Sequence, residues 1–157
     1  MKGPRGFTLI ELVITVAIVG LLATAAMPLV EITVKRGKEQ ELKAALREIR
    51  TAIDAYKEAS GQGRVATEAD ASGYPPTLDA LYTGVVDATS PDAKLIYFMR
   101  RLPRDPFYPD GTVAAAETWG LRSLASPPEN PQPGDDVYDV HSESPGVALN
   151  GTAYRDW

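Results

Sequence analysis

From Phe7 to Val30 the chain reads FTLIELVITVAIVGLLATAAMPLV, 24 residues in which Glu11 is the only ionisable side chain. At about 1.5 Å per residue this makes roughly 36 Å of helix, enough to cross a hydrocarbon core of about 30 Å. The pattern therefore predicts a transmembrane helix. Past Pro28 it turns one-sided: Leu42, Leu46, Ile49, Ile53 and Tyr56 recur at steps of 4, 3, 4 and 3, the spacing of a single helix face. Lys35, Arg36, Lys38, Glu39, Glu41, Lys43, Arg47, Glu48 and Arg50 occupy other positions and read as its solvated side. Glu39 and Lys43 make an acid-to-base pair four residues apart, worth about 0.3 kcal/mol on an exposed helix. The helix is predicted to run to Ser60 and to end at Gly61 and Gly63. Pro28 inside it is expected to kink or open the helix locally, because proline removes a backbone hydrogen bond.

Beyond Gly61 the pattern breaks up. Eleven of the 13 prolines lie there, which excludes further long helices. Thr77 to Tyr82 reads as a short helix with Thr77 as N-cap. Leu95 to Arg101 fits a short helix or a strand equally well. Thr118 to Leu124 and Val137 to His141 alternate like strands between turn-forming residues. The expected fold class is α+β, a long N-terminal helix packed on a small antiparallel sheet with long loops. The expected organisation is a basic leader over 1–6, a transmembrane half-helix over 7–30, an amphipathic half-helix over 31–60 and a loop-rich globular part over 61–157.

Composition narrows the function. The 157 residues carry a net charge of -5, and residues 61–157 hold 14 acidic against 7 basic side chains. That argues against a protein that must neutralise nucleic-acid phosphates. With no cysteine there is no thiolate metal site, thiol nucleophile or disulfide, and the single histidine, His141, disfavours histidine-based metal catalysis. Asp139, His141, Ser142 and Ser144 invite a hydrolase reading, but no Gly-x-Ser-x-Gly elbow is present. On a strand, moreover, Asp139 and His141 share a face that Ser142 leaves. The chain is not expected to be an enzyme. Trp119, Tyr138, Tyr154 and Trp157 are expected in the core and in subunit contacts. A secretory signal peptide competes for the N-terminus: Lys2 and Arg5 form its basic region, Ala23-Thr24-Ala25 its cleavage site, and Ala26 the mature start. Against it, the apolar run exceeds the usual 7 to 15 residues and contains a carboxylate.

Lys2 to Glu11, KGPRGFTLIE, resembles the cleavage and methylation motif of the type IV pilin-like superfamily: basic leader, Gly6, Phe7, Glu11, then an apolar run of membrane-spanning length. Within it, the run VKRGKEQELKAALREIRTAIDAYKEA, GYPPTLDAL (Gly73 to Leu81), RRLPRDPF (Arg100 to Phe107) and TWGLRS (Thr118 to Ser123) are similar to the major pseudopilins of type II secretion systems. The resemblance implies the type IV pilin-like fold. It also implies that a prepilin peptidase cuts between Gly6 and Phe7 and methylates the new amino group of Phe7. Glu11 would then pair with that amino group on a neighbouring subunit, a role that competes with simple snorkelling of Glu11 to the headgroups. Pro28 would belong to the assembling helix.

The implied partners are further copies of the chain in a helical homopolymer, minor pseudopilins, the peptidase, and an inner-membrane assembly platform with its cytoplasmic ATPase. The implied location is the bacterial inner membrane, single-pass, with the C-terminal domain in the periplasm. The count of basic residues alone favours the opposite topology, because Lys35, Arg36, Lys38, Lys43 and Arg47 follow the span. Two other functions compete with the filament subunit of a secretion pseudopilus. One is a type IV pilin of a surface fibre for adhesion, motility or DNA uptake, and the other is an exported binding domain that never polymerises. Asp135, Asp136, Asp139, Ser142, Glu143, Ser144 and Asn150 form an oxygen-rich stretch whose spacing does not match an EF-hand, and by itself it reads as a solvated acidic loop. The resemblance implies calcium there, held first by Asp136 and Asp139 and then by Ser142 and Ser144.

Overall fold

The computed structural model describes residues 6–68 and 70–157, apart from the side chains of residues 25–28. The first five leader residues and the side chain of Pro28 therefore lie outside the described residues. Helix α1 spans Leu9–Gly61, starting two residues later than the apolar pattern does and ending where the glycines predict. Its C-terminus is closed by Gly63, whose φ of 71° is costly for any residue with a Cβ. The amide of Gly63 donates to the Ser60 carbonyl and that of Arg64 to the Ala59 carbonyl, both at 2.9 Å. This is the paired closure that satisfies the last carbonyls of a helix.

The chain divides into two compact units between Gly37 and Lys38. In the first unit the apolar side chains face outward: Val13, Ile18, Val19 and Leu21 are 52–73% exposed. Nothing among the described residues covers them. The helix is long and apolar enough to cross a membrane, and an apolar surface this continuous requires a lipid or protein partner.

The second unit is built on the one-sided half of α1. Leu42, Leu46, Ile49, Ile53 and Tyr56 are all at most 5% exposed, and Ala45, Ala52 and Ala59 widen the stripe. Each large side chain so buried contributes about 1.5–3 kcal/mol. Packed with them are Leu78, Leu81, Met99, Leu102, Trp119, Val137, Val140 and Tyr154. Helix α2 spans Ala80–Thr83. Strand β1 (Val85–Val86) pairs antiparallel with β2 (Leu95–Ile96), and β3 (Trp119–Arg122) with β4 (Asp139–Ser142). Single 3-10 turns precede β3 at Ala115–Thr118 and follow β4 at Tyr154–Asp156.

The structure corrects three details. The small sheet is two separate two-stranded sheets among the described residues. The ambiguous segment Leu95 to Arg101 is a strand only over its first two residues. The short helix starts at Ala80 and not at Thr77: Asp79 takes the N-cap position without a side-chain cap, and the Thr77 carbonyl accepts from the Ala80 amide in a preceding turn. Gly120 faces His141 across the ladder, where a Cβ would meet the imidazole Nε2 at 2.3 Å. The ring thus lies over the strand where only glycine leaves room.

Where α1 ends, Arg64 Nη2 meets Asp87 Oδ2 at 2.8 Å, and the other oxygen of Asp87 accepts from the amide and hydroxyl of Thr89. The Thr89 hydroxyl, the Arg64 guanidinium and the Thr89 amide, in that order, hold the Asp87 carboxyl down at about 2. Because the folded value lies below the unfolded one, this contribution to stability is fully present above the unfolded pKa of 3.8 and is lost as pH falls toward 2. Thermal midpoints measured from pH 5 to pH 2 are expected to fall less steeply in Asp87→Asn than in the parent. Identical slopes would exclude the assignment.

Candidate functional site

The residues expected to carry cleavage and assembly sit at the start of α1. Gly6 and Phe7 precede the helix, both exposed, and Phe7 is 89% exposed. An exposed peptide bond ahead of the helix is what a processing enzyme requires. Thr8 and Glu11 then form a reciprocal cap. The Glu11 amide donates to Thr8 Oγ1 at 3.3 Å, while Glu11 Oε2 accepts from the Thr8 amide and hydroxyl, each at 2.9 Å. The sequence signal for this cap is Thr-x-x-Glu before an apolar run, and its glutamate is the same one that the peptidase motif contains. The cap gives Glu11 a local role. Its carboxylate occupies the positive end of the helix, where an anion is favoured by about 0.3–1 kcal/mol. Further along, the hydroxyls of Thr15 and Thr24 donate to carbonyls three or four residues earlier. These bonds hide the only other polar side chains of the apolar half, as a segment surrounded by hydrocarbon needs.

The second predicted site, the oxygen-rich segment after Gly134, folds differently from the expectation. Asp139 accepts from Arg50 Nε at 2.7 Å and lies 3.9 Å from Arg122 Nη1. Ser142 points to the opposite face of β4, where it is fully buried and donates to Asp105 Oδ2. Asp136 accepts from the Leu124 amide at 2.9 Å and lines a groove with Asp135, Tyr56 and Tyr74 that Asp139 does not line. Ser144 Oγ accepts from the Gly146 amide. Residues 139 and 142 differ by an odd number on a strand, so one ion cannot take both. The four side chains named for calcium do not fit it as folded. Among the described residues, no group of three or more histidine and carboxylate side chains is placed to hold a metal.

The same parity keeps Asp139, His141 and Ser142 from meeting as a catalytic triad. Burial holds the His141 imidazole below its ordinary pKa, partly offset by Glu143 and Asp139. Trp119 and Tyr154 are buried, as expected, while Tyr138 and Trp157 are half-buried.

Two residues that matter here were not singled out from the sequence. Asp105 is 3% exposed and accepts from the Phe107 amide and the Ser142 hydroxyl, while its own amide donates to Thr118 Oγ1. Arg50, read as solvated, binds residues some 90 to 107 positions away. No local pattern marks the role of either residue, because the partners that decide it, Ser142 for Asp105 and Asp139, Val140 and Trp157 for Arg50, are distant in sequence.

Comparison with known proteins bears on the N-terminal site most directly. The prokaryotic N-terminal methylation motif matches residues 1–27. The type II secretion system core protein G of Klebsiella michiganensis is 26% identical over 139 residues, covering 86% of this chain and 90% of that protein. Its counterpart in Klebsiella pneumoniae is 28% identical over 143 residues, covering 87% and 94%. The type IV major pilin protein PilA of Myxococcus xanthus is 36% identical over 91 residues, but covers 58% of this chain and 40% of that pilin. No solved structure matches the chain.

Proposed function

We propose that this pilin-like protein is the major pseudopilin of a type II secretion system, a structural subunit that assembles a periplasmic filament and drives folded proteins outward. The observation that carries the reading is similarity along nearly the whole of the two Klebsiella type II secretion core proteins, joined to the methylation motif at the N-terminus. Processing would separate Gly6 from Phe7 and leave a methylated amino group on Phe7. The leader would lie in the cytoplasm, the apolar half of α1 in the inner membrane and the unit from Lys38 onward in the periplasm.

Polymerisation would proceed by stacking the apolar halves of successive subunits. Their exposed apolar surface is matched by lipid before assembly and by neighbouring helices afterwards. At each step the positive Phe7 amine of one subunit would meet the Glu11 carboxylate of another, in surroundings where an unpaired charge is penalised. Energy would come from a separate ATPase acting through an assembly platform, with minor pseudopilins and the prepilin peptidase as further partners. The surface-fibre alternative draws on the similarity to the Myxococcus xanthus pilin, which covers a smaller part of both chains.

Mass spectrometry of the mature N-terminus is expected to find methylated Phe7, whereas a start at Ala26 would indicate ordinary export. Deleting the gene is expected to abolish secretion of folded proteins. Intact secretion with lost surface fibres would favour the pilin reading. Protease treatment of sealed inner-membrane vesicles tests the topology, and cleavage of the globular unit from the cytoplasmic side would refute it.

A further inference from the structure

Segment 139–157 closes over the second unit, and one row of the long helix holds it at several points. Glu39, Lys43 and Arg50 stand four and seven residues apart, which places them along a single stripe beside the buried one. All three reach the same segment. Glu39 Oε1 accepts from the Leu149 amide at 2.8 Å and from the Tyr154 hydroxyl at 3.0 Å. The Lys43 ammonium lies 4.3 Å from the centre of the Trp157 ring. The Arg50 guanidinium donates to Asp139 Oδ1, to the Val140 carbonyl and to the main-chain oxygen of Trp157.

Aromatic packing fills the space between these attachments. Phe107 stacks on Tyr154 with centroids 4.1 Å apart, and Trp157 meets Tyr154 edge-on at 5.3 Å. Within the segment, three of the oxygen-bearing side chains already have protein partners. Asp139 faces arginine, Ser142 faces Asp105, and Asn150 Oδ1 accepts from the amide and hydroxyl of Thr152.

We infer that Glu39, Lys43 and Arg50 fasten segment 139–157 to the helix and that this closure is independent of calcium. The arrangement supplies three fixed charges from a rigid helix in place of a central ion. Glu39 and Arg50 each bind two separated points of the segment, so losing either frees a stretch and not a single contact.

Hydrogen exchange followed by mass spectrometry on the full-length chain in detergent tests this. In the parent, the peptide covering 143–157 is expected to exchange at the same rate in calcium chloride as in a chelator. Glu39→Ala is expected to speed its exchange by about tenfold, the effect of losing charge-assisted hydrogen bonds, while the helix peptide over 42–56 stays unchanged. Slower exchange on adding calcium to the parent overturns the inference, as does a parental rate in Glu39→Ala. If Glu39→Ala loosens the whole unit, Lys43→Ala decides: it removes only a ring contact, so acceleration confined to 143–157 supports the fastening and no acceleration overturns it.

Discussion

Glu11→Gln is expected to stop filament assembly while leaving the subunit folded and in the membrane. The choice of glutamine separates two roles that overlap at this position. A glutamine carbonyl still accepts from the Thr8 amide, so the helix cap survives, whereas the charge that would pair with the Phe7 amine is gone. Glu11→Ala removes both. If the pair acts during assembly, each added subunit in the variant leaves one amine unmatched in surroundings where charge costs about 2.5–3.5 kcal/mol at the centre and less near the edge. A loss of about 2 kcal/mol per subunit raises the concentration needed for growth roughly thirtyfold. Electron microscopy of filaments from overproducing cells measures this directly, with protease resistance of the globular unit as a check on folding. Parental filament numbers in Glu11→Gln would show that capping, and not ion pairing, is why the carboxylate is there.

Asp105→Ala should be the most damaging single change inside the globular unit. The carboxylate is almost fully buried between the Phe107 amide and the Ser142 hydroxyl, and Ser142 itself has no exposure. Truncation strands both donors, at about 1–3 kcal/mol for each buried polar group left unsatisfied. For a domain with a total stability of about 5–15 kcal/mol, that is a substantial fraction. The thermal midpoint is expected to drop by about 10 °C. Asp105→Asn retains an acceptor for one donor and is expected to lose about half as much. By contrast Asp110, which is exposed and whose carboxylate accepts hydrogen bonds within its own turn from Thr112, is expected to tolerate alanine with little change. Equal midpoints for Asp105→Ala and Asp110→Ala would contradict the role given to the buried carboxylate.

The long helix was legible because its determinants are local. An apolar run, then a 4-3-4-3 stripe, then glycines all act within a few turns of chain, and each registers as periodicity. The five stripe residues were all found buried. The pair β3–β4 was legible for the same reason, since alternation with flanking turn residues is a local property. Its ends shifted, to Trp119–Arg122 and Asp139–Ser142, because ladder ends depend on the partner strand.

The polar residues behaved otherwise. Glu39 and Lys43 looked like a solvated pair on the helix, yet each turns toward residues more than a hundred positions away. Asp139 and Ser142 looked like neighbouring ligands, yet the strand sends them to opposite faces, one to Arg50 and the other to Asp105. A charged side chain in a sequence records its chemistry but not its partner.

The sequence by itself therefore determined the division of the chain into an apolar, membrane-length segment and an acidic globular remainder, together with the processing motif at their head. Those features depend on composition and spacing over a few residues, where hydrophobic burial and helix geometry act without knowledge of the rest of the chain. Only the tertiary structure decided what closes the C-terminal segment and which carboxylates are held by protein groups. Electrostatic and hydrogen-bond pairing depends on distances of 3–4 Å between residues remote in sequence, and those distances exist only once the helix and the two small sheets have packed.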